Sequence, residues 1–301
     1  MESTDMSDLL IRRRNLLIRK QEEEMNIRAV CFKADGEQTV AITKVGSAPA
    51  ITMQYSYDGV TWDAWDLTPL PFGGSNKVYV RGVNNARFAT NGTSNNFTFS
   101  TDAYVYVSGI AEALLNGESE VLQYSTSYTF RTLFKDQTAL READRLRFEA
   151  MSNSESCYQS MFAGCSNLLS APELPATTLG YSPYRTMFSG CTSLVKAPSI
   201  LPATKLNGWA YAYMFYYCTS LVNAPELPAE TLTTSCYYQM FGNCTSLKTI
   251  RCRAKVKADN ATYNWLNGVK TSGTFYGHSE YGWASGSSGI PTTWTFEELT
   301  D

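Results

Sequence analysis

Apolar side chains return along the middle of the chain at a near-constant interval. Met-Phe occurs at Met161, Met187, Met214 and Met240, at spacings of 26, 27 and 26 residues. A Tyr stands three before each Met (Tyr158, Tyr184, Tyr211, Tyr237), a Cys four after it (Cys165, Cys191, Cys218, Cys244) and a Leu seven after it (Leu168, Leu194, Leu221, Leu247). Such self-similarity is the mark of a stacked-repeat array. Within one copy the offsets i, i+3, i+4, i+7 and i+10 put Tyr158, Met161, Phe162, Cys165 and Leu168 on one stripe of a short helix and its exit, facing the core. A weaker copy with the same offsets precedes these: Phe130, Leu133, Phe134, Gln137 and Leu140. Its Gln in place of the Cys suits a terminal repeat with no neighbour on its outer side. After each helix comes Leu-x-x-Ala-Pro (168–172, 194–198, 221–225) and then Leu-Pro-Ala from Leu174, Leu201 and Leu227. Pro cannot donate to a strand ladder and forces its predecessor out of the helical region, so each copy is predicted to add one short strand. The pattern predicts five leucine-rich-type repeats, each a short helix plus a short strand, in a solenoid that with its entry segment occupies 109–253.

Upstream the period changes to two. Ala29 and Cys31, Val40 and Ile42, Met53, Tyr55 and Tyr57, and Val78 and Val80 alternate with polar residues, and Asp58-Gly59 and Asn91-Gly92 mark turns. A small antiparallel β-sandwich over 25–108 is predicted, serving as a spacer or a carbohydrate-binding module; exposure of Trp62 or Trp65 would favour sugar stacking. Residues 1–24 contain a heptad pair, Leu9 to Asn15 and Leu16 to Glu22, and predict a short N-terminal helix. Its apolar residues Leu9, Leu10, Leu16 and Leu17 need a partner, because so short a helix is marginal alone. Arg13 interrupts the coiled-coil stripe. This favours docking onto a larger assembly or a short homotrimer, with a helix folded back on its own domain as the alternative; Arg12 to Arg14 read as a solvated face.

The consensus Tyr-x-x-Met-Phe-x-x-Cys-Thr-Ser-Leu-x-x-Ala-Pro-x-Leu-Pro-Ala-Thr resembles the BspA-like leucine-rich repeats of bacterial surface proteins and of bacteriophage and prophage proteins of gut Bacteroidetes. The segments Asn264 to Val269, Gly273 to Phe275 and Ser288 to Pro291 resemble the C-terminal cap that follows such repeats, which places a cap at 254–301. The resemblance spans roughly residues 105 to 300 and implies, for function, attachment or recognition. The surface members of that group carry an export signal and a sorting tail, and this sequence presents neither pattern. The fold class expected is therefore mixed: an N-terminal helix, a small antiparallel β-sandwich, and a leucine-rich-repeat solenoid with a C-terminal cap.

Composition narrows the functions. With 25 basic against 28 acidic residues in 301 the formal net charge is -3, which offers no electrostatic case for a nucleic-acid partner. No window approaches the ~20 apolar residues of a membrane span, so membrane insertion is not expected. Met1 to Met25 lacks the apolar core of a signal peptide. Four of the eight Cys recur once per repeat, as packing positions do, and are expected to be reduced, buried thiols; pairing of Cys157 with Cys165, or of Cys244 with Cys252, is the alternative. One histidine, His278, lies in a Gly/Ser-rich stretch. No GxSxG, P-loop, HExxH, GxGxxG or zinc-ligand spacing occurs, so no catalytic residue, metal or cofactor is expected. The remaining enzyme argument is a carboxylate pair, Glu173 and Glu226, two repeats and so about 10 Å apart. That is wide of the roughly 6.5–9.5 Å of inverting glycosidases, and repeat registry explains it.

The copies disagree informatively in one place. Just before the Met stand Ser160, Thr186 and Gln239, but Tyr213 in the copy around Met214; two after the Met stand Ala163, Ser189 and Gly242, but Tyr216. Trp209 replaces Ser156, Ser182 and Ser235, and Tyr217 replaces Gly164, Gly190 and Asn243. On a helix, Trp209, Tyr213 and Tyr216 fall opposite the core stripe, which predicts an outward aromatic patch. Packing against a neighbouring subunit or the β-module is the competing reading, and burial of all three within the solenoid would remove the site. Together these features predict a non-enzymatic virion protein of a bacteriophage, such as a fibre, tail or capsid decoration. It would be made in the bacterial cytoplasm and attached to other particle proteins by the N-terminal helix, and would present its repeats to a host-surface glycan or protein. A bacterial cell-surface adhesin is the alternative.

Overall fold

The computed structural model describes residues 27–90, 96–117, 126–148 and 154–300. The helix expected over 1–24, with Leu9, Leu10, Leu16 and Leu17, lies outside them.

The period-two region forms strands β1 (Val30–Ala34), β2 (Thr39–Val45), β3 (Met53–Ser56), β4 (Asp63–Trp65), β5 (Leu70–Pro71), β6 (Lys77–Gly82), β7 (Asn96–Thr101) and β8 (Val105–Ile110). They make two sheets. One has the order β4-β3-β6-β1-β8-β9, where β9 is Leu140–Arg147, and the other the order β5-β2-β7. Every neighbouring pair is antiparallel except β8 with β9, which are parallel. The sheets meet through inward residues such as Phe32 and Phe99, whose ring centroids are 5.1 Å apart. Trp65 is buried and its indole N–H donates to the Thr68 carbonyl at 2.8 Å. Trp62 lies under the Arg81 guanidinium at 4.1 Å. Burial removes Trp65 as a stacking platform, whereas Trp62 is half-buried beneath its arginine.

The repeats contain no α-helix among the described residues, and the expected helix-plus-strand unit is overturned. In its place each Tyr-x-x-Met-Phe-x-x-Cys segment is a string of turns in which every fourth residue is left-handed. Ser156, Ser160 and Gly164 have φ of 54°, 57° and 76°. Positive φ recurs at Ser182, Thr186 and Gly190, at Trp209, Tyr213 and Tyr217, at Ser235, Gln239 and Asn243, and earlier at Tyr128, Thr132 and Asp136. The amides then split by parity. Gln159, Met161, Ala163 and Cys165 donate three residues back, to Ser156, Tyr158, Ser160 and Phe162. Tyr158, Ser160, Phe162 and Gly164 donate to carbonyls of Pro183, Arg185, Met187 and Ser189 on the next coil, at 2.8–3.1 Å. No amide remains for the i→i−4 bonds of a helix. A backbone unit of four residues lies close to the helical 3.6, so both structures turn the same i, i+3, i+4 and i+7 positions inward, and the apolar spacing cannot tell them apart. The distinguishing signal is the small and polar residues at every fourth place, since Gly and Asn tolerate left-handed backbone.

The inward side chains stack in columns. Phe134, Phe162, Phe188, Phe215 and Phe241 follow one another at 5.3, 5.5, 5.6 and 5.6 Å, with interplanar angles of 12° or less. Phe130, Tyr158, Tyr184, Tyr211 and Tyr237 form a second column at 5.6–6.0 Å. Each repeat Cys donates its thiol to the Phe carbonyl one coil back, as from Cys191 to Phe162 at 3.1 Å and from Cys218 to Phe188 at 3.1 Å. All eight cysteines are free and buried. Burial pushes the Cys165, Cys236, Cys244 and Cys252 thiols up to about 12, and those of Cys191 and Cys218 well above their ordinary value.

The extended half of each coil supplies parallel strands, and the whole is a β-solenoid. One row runs through β9, bridges at Ser170 and Lys196, β10 (Asn223–Leu227), β12 (Thr249–Cys252), β14 (Thr274–Gly277) and β15 (Thr295–Glu298). A shorter row pairs Thr178 with Lys205 and β11 (Thr231–Leu232) with β13 (Val256–Lys257). Prolines limit these contacts to one or a few residues in the early coils, as their missing amides require.

Both ends differ from expectation. The first coil does have a neighbour on its outer side: Phe88 and Phe99 of the sandwich donate to the carbonyls of Thr129 and Leu133, both at 2.8 Å, and Phe99 stacks on Phe134 at 5.7 Å. Gln137 turns back to the Lys135 carbonyl at 3.2 Å. One hydrophobic core thus runs unbroken from the sandwich into the solenoid. At the far end Asn260, Asn264 and Gly268 are left-handed like their predecessors, which makes 260–268 a sixth coil. Trp265, fully buried, closes both columns by stacking on Tyr237 at 6.0 Å and packing on Phe241 at 6.4 Å. Trp283 covers it in turn at 5.6 Å.

Candidate binding surface

The turn ladder fixes which side chains point outward. Tyr211, Met214, Phe215 and Cys218 are buried, whereas Trp209, Tyr213 and Tyr216 are half-buried and Tyr217 is 48% exposed. The predicted patch therefore reaches solvent, although by ladder geometry and not by a helix face. Three of its four residues occupy the left-handed positions of their coil, with φ of 59°, 56° and 61° for Trp209, Tyr213 and Tyr217. Other coils place mainly Ser, Thr, Gly, Asn or Gln there. A bulky side chain in this region costs about 1 kcal/mol or more. The core gains nothing from that cost, because these side chains point away from it.

The aromatic surface is wider than the sequence comparison found. Trp209 packs on Tyr238 at 5.2 Å, Tyr213 on Tyr238 at 5.3 Å and on Tyr216 at 5.6 Å, and Tyr216 on Tyr217 at 4.7 Å. Tyr238 continues to Tyr263, itself 42% exposed, at 5.0 Å. Tyr216 lies across Gly242 of the next coil, where an added Cβ would come within 2.8 Å of its ring. At the opposite edge the Arg185 guanidinium sits 4.9 Å from the Trp209 ring and 5.9 Å from that of Tyr213. Burial, with the hydrogen-bonded Tyr238 hydroxyl beside it, pushes the Tyr213 phenol up, and Arg185 opposes the shift. Tyr238, Tyr263 and Arg185 stand outside the copy-by-copy pattern because each follows the first inward residue of its coil (Tyr237, Thr262 and Tyr184), a position with no consensus residue type. Only the ladder register reveals that these positions share an edge.

The other residues singled out from sequence do not join this surface. Glu173 accepts the Ser199 amide and hydroxyl at 3.0 Å, and Glu226 lies 3.7 Å from Arg251, so each carboxylate is bound to its own neighbouring coil and the two form no pair. His278 is buried in the cap, its Nδ1 3.8 Å from Glu298. A cleft of about 340 Å³ in the cap is lined by Trp283, Trp294, Phe296, Ile290 and Pro291 together with small residues. Among the described residues no cluster of His, Cys, Asp or Glu is arranged to hold a metal ion. What the aromatic surface offers chemically is flat π-faces, phenol hydroxyls and one guanidinium, which is the equipment of a binding site for a partly apolar, hydroxyl-bearing ligand. The chain matches no protein-family model, no curated protein and no solved structure.

Proposed function

We propose that the chain is a non-enzymatic attachment protein of a bacteriophage virion, which holds a host-surface glycan against the aromatic face of its solenoid. The observation that carries the recognition reading is the placement of Trp209, Tyr213 and Tyr217 at left-handed backbone positions. Residues held against local conformational preference cluster where function demands them, and these three present rings to solvent. Pyranose rings stack on such rings, and the surrounding hydroxyls supply the donors and acceptors that fix orientation. The particle reading is supported by the eight free, buried thiols, which suit a protein assembled in a reducing cytoplasm. Attachment through residues 1–24 and a trimeric state belong to the same proposal.

The test measures binding of the full chain to host cells and to immobilised host glycans. Trp209→Ala and Tyr213→Ala are each expected to weaken binding about tenfold, which corresponds to 1.4 kcal/mol, with an unchanged melting transition. Full retention of binding by both variants overturns the recognition site. Immunogold labelling of released particles checks the location, and labelling of uninfected cell surfaces instead would identify a cell-surface adhesin.

A further inference from the structure

The turn ladder aligns residues from successive coils. Thr132 donates its amide to the Gln159 carbonyl and Ser160 donates to the Arg185 carbonyl, so Arg131, Gln159 and Arg185 stand side by side on one outer edge. At ~4.8 Å per coil the two arginine backbones are about 10 Å apart, within reach of one another's long side chains. Both are half-buried. Arg131 lies against Tyr128 at 5.5 Å, and Arg185 against Trp209 and Tyr213. Neither forms an ion pair among the described residues. Glu155, close by, takes its hydrogen bond from the Tyr128 hydroxyl at 3.1 Å. The Arg131 Nε is buried and without a hydrogen-bond acceptor. Burial and the neighbouring Arg185 both lower the Arg131 pKa. Beneath the row, the Ser160 and Thr186 hydroxyls bond each other at 2.7 Å and add polar groups to the same strip.

Two like charges, partly desolvated and without a carboxylate between them, are unfavourable unless an anion is supplied from outside. The fork of guanidinium donors matches a carboxylate, and Gln159 adds an amide donor between them. Immediately beside this strip begins the aromatic surface, with Arg185 belonging to both. We infer that the ligand is an acidic glycan, whose uronate or sialate carboxylate is held over Gln159 by Arg131 and Arg185 while an adjoining sugar ring stacks on Trp209 and Tyr213. This rests on the glycan-recognition reading above and adds the charge of the ligand. It also gives the ligand a direction, with its acidic unit toward the sandwich and its stacked unit toward the cap.

The experiment compares the full chain's affinity for two pairs of probes: sialyllactose against lactose, and an oligogalacturonate against its methyl ester. At least one acidic probe is expected to bind tenfold or more tightly than its neutral counterpart, and to weaken as salt is raised. Arg131→Gln and Arg185→Gln should each remove most of that preference, Arg185→Lys only part of it, with unchanged melting. Trp209→Ala should weaken both members of the pair alike. Equal affinity for acidic and neutral probes, sensitive to Trp209→Ala, overturns the acidic ligand while leaving the glycan reading intact. Loss of preference in neither arginine variant also overturns it, as does the absence of binding to all four probes. Arginine-dependent binding of polyglutamate in their place would identify an acidic polypeptide and overturn both.

Discussion

The coils at 182–190 and 209–217 have the same backbone and opposite surfaces. Both turn a Tyr, Met, Phe and Cys inward, and Phe188 and Phe215 stack on each other at 5.6 Å with the rings 12° from parallel. Both bend left at the same three steps. The first coil fills those steps with Ser182, Thr186 and Gly190, the second with Trp209, Tyr213 and Tyr217. The inner half of the ladder is therefore constrained tightly by its neighbours above and below, and the outer half more loosely, by local backbone preference and by contacts such as Tyr216 across Gly242. Where that preference is overridden, the reason must be sought outside the core.

The comparison is broken most severely from the inside. Phe188→Ala and Phe215→Ala each delete a fully buried ring from a continuous column, and each should cost about 3–5 kcal/mol in chemical denaturation. Because the two sites are equivalent, their costs should agree within about 1 kcal/mol; a larger gap would mean that the outer aromatics help to hold the fourth coil together. Alkaline pH attacks both coils alike. Burial raises the folded-state pKa of Cys191 and Cys218, so the stability they contribute is complete below the unfolded thiol pKa and is lost as pH rises beyond it. Stability should fall above about pH 8.5 by up to about 1.4 kcal/mol per pH unit for each such thiol. Cys191→Ala and Cys218→Ala should reduce that slope equally in denaturation curves recorded from pH 8 to 10.

The smallest effects separate the coils, and they have opposite signs. Tyr217→Asn places at a left-handed step the residue type found at Asn243, and should stabilise the protein by roughly 0.5–1 kcal/mol, seen as a melting point higher by about 2 °C. Gly190→Tyr moves the fourth coil's solution into the third and should destabilise by about 1–2 kcal/mol. If Tyr217→Asn is destabilising, the aromatic surface serves the fold and not a ligand.

Much of this was legible from residue spacing and some was not. The repeat, its inward stripe and the outward aromatics follow from Tyr158, Met161, Phe162, Cys165 and Leu168 and from the substitutions at Trp209, Tyr213, Tyr216 and Tyr217. The spacing predicts a helix where there is none because a four-residue turn unit and a 3.6-residue helix bury the same positions. The distinguishing residues, Ser156, Ser160 and Gly164 in one coil and Asn260, Asn264 and Gly268 in the last, look like ordinary surface choices until their φ values are known. The arginine row was hidden for another reason. Gln159 separates Arg131 from Arg185 and Ala212 follows them, so no residue type repeats from coil to coil, and only the amide register reveals the three as neighbours. The covered first coil was equally invisible, since nothing in Phe130 to Leu140 announces that Phe88 and Phe99 will complete its ladder.

That amide register also sets how the surface can be edited. Each coil bonds its neighbours in the same pattern of alternate amides, so excision of residues 182–208 would bring one intact coil against another with matching partners and an unbroken Phe column. A one-residue deletion inside a coil would instead put inward residues on left-handed steps and misalign every bond beyond it. The ladder accepts whole-coil deletions and insertions, because each coil presents its neighbours with the same pattern of amides. Such a deletion would remove Arg185 and slide Trp209 about 5 Å toward Arg131, altering the span between charge and aromatic platform in a single step. Ligand length becomes a property counted in coils, open to change without redesign of the core.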